Sequence, residues 1–137
     1  MDPIQENLKG MIDPKVGGME LDEIINFHVN LKIRLRLYIK GQHDASMRSQ
    51  TIAHDEMCAI GVWITQEEKN FRSSPFFEQL KTAHRAVHKY AAEIAQKVED
   101  GDPAAALALL EDINGGFMQN SQKMIGAVLS LQKERVT

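Results

Sequence analysis

The sequence predicts an all-α domain, an antiparallel four-helix-type bundle with a short extra helix at the N-terminus. Three observations carry that expectation. Apolar residues recur at steps of three and four along long segments. Asp-Pro and Ser-Pro pairs stand where helices should begin. No stretch alternates apolar and polar residues between turn residues, as a half-buried strand does. The 137 residues (15.4 kDa) suit one domain. A composition of 43% hydrophobic and 26% charged residues suits an ordered chain.

Asp2-Pro3 reads as cap and first residue of the opening helix, which ends at Gly10, and Asp13, Pro14, Gly17 and Gly18 form a loop. Residues 1–19 are therefore set apart from a bundle over 20–134. From Glu20 to about Gly41, the positions Leu21, Ile24, Ile25, His28, Leu31, Leu35 and Tyr38 make one stripe along a helix. Lys32, Arg34, Arg36 and Lys40 mostly fall off it, as a solvated face. Residues 42–53 are polar and without period, a loop or weak helix. Met57, Ile60 and Ile64 space a short helical piece over 56–64. Ser74 caps the next long helix, with a buried stripe of Phe77, Leu80, His84, Val87, Ala91, Ile94 and Val98 that stops near Gly101. Asp102-Pro103 opens the last helix, which runs to about Glu134 with a bend or break at Gly115-Gly116. Its apolar positions (Ala104, Leu107, Leu110, Ile113, Phe117, Met124, Val128, Leu131) form a surface broad enough for a partner helix as well as its own core.

Composition excludes several function classes. A formal charge of −3 gives no basic field for nucleic acid or anionic lipid. The longest apolar run, near 104–110, is far short of the roughly 20 residues that span a bilayer. The N-terminus lacks the apolar core of a secretory signal. With one cysteine there is no intrachain disulfide, and a reducing cytoplasm is the natural compartment.

Chemistry is concentrated in the histidines and the thiol. His84 and His88 stand four apart on one helical face, the geometry for two ligands on one metal ion. Taken singly, His28 on its apolar stripe reads as a hydrogen-bonded core histidine, and Cys58 as a small buried hydrophobe. Together His28, Cys58, His84 and His88 supply the three nitrogens and one sulfur of a closed tetrahedral Zn²⁺ site, with thiolate and imidazole favouring zinc over oxygen-seeking cations. Copper and iron stay open on ligand type alone. Gly61 lets a neighbouring backbone approach, and Trp63 packs in the core or shields the site from water. His43 and His54 read as exposed, although His54-x3-Cys58 is itself a helical metal spacing and makes His54 the reserve ligand.

His28-Val-Asn-Leu31, then 26 residues, Cys58-Ala-Ile60-Gly61-Val-Trp63, then 20 residues, and His84-x3-His88 resembles the pattern of the chemoreceptor zinc-binding domain family. Leu31 takes the family's less common aliphatic option, and the similarity spans about Leu21 to Leu131. The resemblance implies a cytoplasmic bacterial module that binds zinc tightly, forms a homodimer, and is usually attached to chemoreceptors or diguanylate cyclases. It also implies two inputs: zinc occupancy, and oxidation of the redox-reactive Cys58 by oxidants such as hypochlorous acid. No output domain lies within these residues. The expectation is thus a stand-alone module acting through a signalling partner, or one piece of a longer chain.

No enzyme is expected. Four protein ligands leave no position for water, Arg85 follows His84 where a zinc hydrolase motif has Glu, and no phosphate loop or nucleophile–base set is present. Two other readings remain: a haemerythrin-like di-iron oxygen carrier, which needs further histidines and bridging carboxylates, and a bundle in which zinc is purely structural.

Overall fold

A computed structural model describes residues 21–71 and 73–136, and among these every regular element is helical. Helix α1 spans Leu21–Ile39. A 3-10 turn (Ala45–Met47), the one-turn α2 (Ser49–Ile52) and a second 3-10 turn (Asp55–Met57) lead into α3, Ala59–Phe71. Then follow α4 (Pro75–Glu99), α5 (Pro103–Glu111) and α6 (Gly116–Val136). The expected opening helix and the loop at 13–18 lie outside the described residues.

The segment read as a loop or weak helix holds both, in short pieces. Helix α3 outruns its expected end at Ile64 by seven residues. Thr65 to Asn70 carry no apolar period, but Gln66, Glu67, Glu68 and Lys69 are good helix formers on a mostly exposed face. Phe71 then returns to the core side, stacked on Phe77 at 5.3 Å. Ser74 occupies the cap position of α4, yet its hydroxyl makes no cap bond and donates instead to the Glu134 carboxylate at 2.9 Å. Helix α4 ends where Gly101 takes φ +83°, a left-handed conformation that suits glycine. The last helix is broken rather than bent: α5 ends at Glu111 and α6 starts at Gly116. Asp102 caps α5 by accepting from the Ala105 amide.

Helix α4 packs on α1, α2, α3, α5 and most extensively on α6. The core has two apolar clusters. One joins Ile24, Ile60, Trp63, Ile64, Phe77, Leu80, Met124, Val128 and Leu131. The other joins Leu35, Met47, Ile52, Val87, Ala91, Ile94, Leu110 and Phe117. Helices α1 and α4 run from the first cluster to the second, and α6 runs back. Helix α3 serves only the first cluster, and Met47 and Ile52 from the preceding short turns fill the corresponding space in the second. Between the clusters, α1 places His28, α4 places His84 and His88, and α6 places Ser121, all buried. The broad surface expected of the last helix is largely consumed internally, since Leu110, Phe117, Met124, Val128 and Leu131 are all in the molecule's own core.

Candidate metal centre

The centre is assembled where α3 begins against the middle of α4. The sequence places Cys58 inside a helix, but its backbone is extended (φ −83°, ψ 163°) and α3 starts one residue later. The sulfur therefore stands at the cap position and accepts the Gly61 amide at 3.3 Å. An amide N–H and the helix dipole both point toward that sulfur, two features that favour thiolate against the cost of its burial. Gly61 is required here by close approach: a Cβ would overlap the Asp55 carbonyl and press on Glu56 Cα. That contact stacks the 3-10 turn 55–57 on the first turn of α3.

The buried rings of His84 and His88 lie 4.6 Å apart, edge to face. His84 Nε2 is 3.1 Å from Cys58 Sγ. One donor atom from each of Cys58, His84 and His88 lies within 4.8 Å of the other two. A polar group stands behind each of the two histidines, and His88 is hydrogen-bonded to its own. His88 Nδ1 donates to the Ile52 carbonyl at 2.7 Å, so its Nε2 keeps a free lone pair. His84 Nδ1 faces Asp55 Oδ2 at 3.9 Å, too long for a hydrogen bond but close enough to favour the same tautomer.

His28 stands apart from this triplet. Its ring stacks on Phe117 at 5.9 Å, and its enclosed Nδ1 has no hydrogen-bond partner among the described residues. It nevertheless faces the same space. His28, Cys58, His84 and His88 line one half-open cavity of about 630 Å³, with Leu31 and Ile60 among its walls. The expectation of a hydrogen-bonded core histidine therefore fails for its Nδ1.

Electrostatics keep the nitrogens available. Burial lowers His28 to about 4, with Lys32 and then His88 adding to it, and lowers His84 to about 3, with His88, His28 and Arg85 adding to it. Burial also lowers His88, opposed by its bond to Ile52. All three are thus neutral near pH 7, and the His84–Asp55 approach is not an ion pair. Burial pushes the Cys58 thiol up, against the pull of the Gly61 and Ile60 amides. Soft sulfur, neutral imidazoles and an enclosed nitrogen without a partner fit Zn²⁺.

The remaining expected residues are placed as follows. Trp63 packs against Phe71 and Phe77 in the first cluster, and it is not among the cavity-lining residues. His54 is exposed at the cavity mouth, 3.2 Å from Glu56, outside the donor triplet. Its spacing to Cys58 is not helical, because His54 (ψ 85°) and Cys58 both leave helical geometry. His43 is exposed. Sequence reasoning missed Asp55 and the Ile52 carbonyl, and no sequence signal marks a backbone oxygen as the partner of a histidine 36 residues away.

Residues 28–95 match the family model of the chemoreceptor zinc-binding domain. No curated protein and no solved structure matches the chain.

Proposed function

We propose that the chain, whose residues 28–95 match the chemoreceptor zinc-binding domain family, is a sensory module of that family that holds Zn²⁺ through Cys58, His84, His88 and His28. The observation that carries the reading is the convergence of one thiol and two neutral imidazoles at the seam of α3 and α4. This donor triplet contains no carboxylate, which weighs against a di-iron carrier. A bound ion supplies the charge that keeps the Cys58 sulfur deprotonated and joins α3 to α4. We read α1, α3, α4 and α6 as the staves of an antiparallel bundle around it.

The sensing step belongs to Cys58. Its sulfur gives two electrons to an oxidant such as hypochlorous acid, becoming a sulfenic acid and releasing chloride. That sulfur also closes the first turn of α3, so oxidation alters a metal donor and a helix cap together. The module binds and signals rather than catalyses, acts in the cytoplasm, and works on a chemoreceptor- or diguanylate-cyclase-type partner. No helix among the described residues is long and apolar enough to cross a membrane. Exposed Val29, Ile33 and Leu37 form a helically spaced apolar stripe on α1, of the kind a second copy covers.

The test is the zinc-to-protein ratio and affinity of the chain beside Cys58→Ser, before and after stoichiometric hypochlorous acid. The expected result is about one zinc per chain, little zinc in the variant, and weaker binding after oxidation. Affinity unchanged by complete Cys58 oxidation refutes redox sensing, and an iron-loaded chain refutes the zinc reading.

A further inference from the structure

Resting on the zinc reading above, we propose that His28 is an exchangeable ligand, so that a small monodentate nitrogen or sulfur donor entering the cavity can take its place on the metal. Three independent observations point there. The triplet of Cys58, His84 and His88 closes without His28. His88 Nδ1 is hydrogen-bonded to a backbone carbonyl and His84 Nδ1 faces a carboxylate at 3.9 Å, whereas His28 Nδ1 is enclosed with no partner among the described residues. An outer partner fixes a ligand's tautomer and orientation and raises its basicity, so the histidine without one is the least firmly held. The same half-open cavity of about 630 Å³ reaches all four side chains, with largely apolar walls from Phe27, Leu31, Met47 and Ile60.

Such walls suit a compact donor of low charge. Thiolate and imidazole already select a borderline-soft metal, and that metal accepts a further nitrogen or sulfur donor more readily than a carboxylate. In the exchange, a lone pair of the incoming donor replaces the lone pair of the His28 nitrogen, and no electrons are transferred. The module then reads a third chemical input, a small coordinating molecule, alongside metal and oxidant.

Cobalt(II) loaded in place of zinc gives a visible spectrum that reports the donor set. The experiment titrates imidazole into the cobalt-loaded full chain, His28→Ala and His88→Ala. His28→Ala is expected to keep the metal on the remaining Cys58, His84 and His88, with a smaller loss of affinity than His88→Ala. Imidazole should return its spectrum to that of the unaltered chain in a saturable titration. His88→Ala is expected to lose more affinity and to show no such return. Metal loss in His28→Ala as complete as in His88→Ala, or a His28→Ala spectrum indifferent to imidazole, overturns the proposal. His28→Gln, checked for helicity by circular dichroism, separates ligand loss from misfolding. Should both variants misfold, titrating the cobalt-loaded unaltered chain with a small monodentate thiol decides: exchange puts sulfur where the His28 nitrogen was and shifts the spectrum saturably, and a spectrum that stays unchanged overturns the proposal. A chain that takes up neither cobalt nor zinc defeats the zinc reading itself, and is told apart from failure of His28 exchange by that result alone.

Discussion

Replacing Gly61 by alanine tests how the site is built. The added methyl falls on the Asp55 carbonyl oxygen, with Asp55 C and Glu56 Cα at 2.9 and 3.0 Å. All three obstacles are backbone, so no side chain can swing aside, and the turn 55–57 must move off the first turn of α3. Overpacking of this kind costs about 1–3 kcal/mol, while Gly→Ala within a helix returns at most about 1 kcal/mol. The net expectation is a loss of about 1–2 kcal/mol, or roughly 5 °C in Tm for a domain of this size. The displaced turn carries Asp55, which faces His84, and it abuts Cys58. Zinc affinity should therefore fall about tenfold, equivalent to about 1.4 kcal/mol. Gly126→Ala is the control: that glycine is helical and exposed, with open space where the Cβ goes. It should stabilise by about 0.5–1 kcal/mol. Urea unfolding of the metal-free and zinc-loaded forms, with chelator competition for affinity, measures both effects. A Gly61→Ala chain as stable as the parent, with unchanged affinity, refutes the reasoning.

Phe77→Ala removes a fully buried ring in contact with Trp63 and Phe71, and should cost about 3–5 kcal/mol in urea unfolding. The metal-free chain should lose stability on acidification. His28 and His84 are held below 6.5 in the fold, so the unfolded chain binds protons first. Their contribution is full above about pH 6.5 and falls as pH drops toward the folded values. Between pH 7.5 and 5 each should cost about 2 kcal/mol, read as a shift in urea midpoint. Stripping zinc with a chelator should leave most of the far-ultraviolet helical signal, because the two apolar clusters close without the ion. Wholesale loss of helicity would mark zinc as purely structural.

Periodicity made the long helices legible. Ile24, His28 and Leu35 on α1, and Phe77 through Ile94 on α4, are buried as their spacing demands. Cys58, His84 and His88, which the fold brings together, also stood out, because imidazole and thiol are rare on apolar stripes. Where α3 begins was not, since Met57, Ile60 and Ile64 satisfy a helical period although the helix starts only at Ala59. Period alone does not report the extended backbone of Cys58. Nor was the extent of α3 legible past Ile64, where solvent faces leave propensity as the only signal. The backing of each histidine depended on atoms without a sequence signature, such as the Ile52 carbonyl, and on a half-buried aspartate like others on the surface.

The division of the core has a mechanical consequence. At its waist the molecule forgoes the cohesion that leucines at positions 28, 84 and 88 would provide, and keeps its adhesive strength at the two ends. A rearrangement confined to that middle band leaves Phe77, Trp63 and Leu131 clasped at one extremity and Leu35, Ile94 and Leu110 at the other. The midsection can thus shift while the ends hold the helices in register.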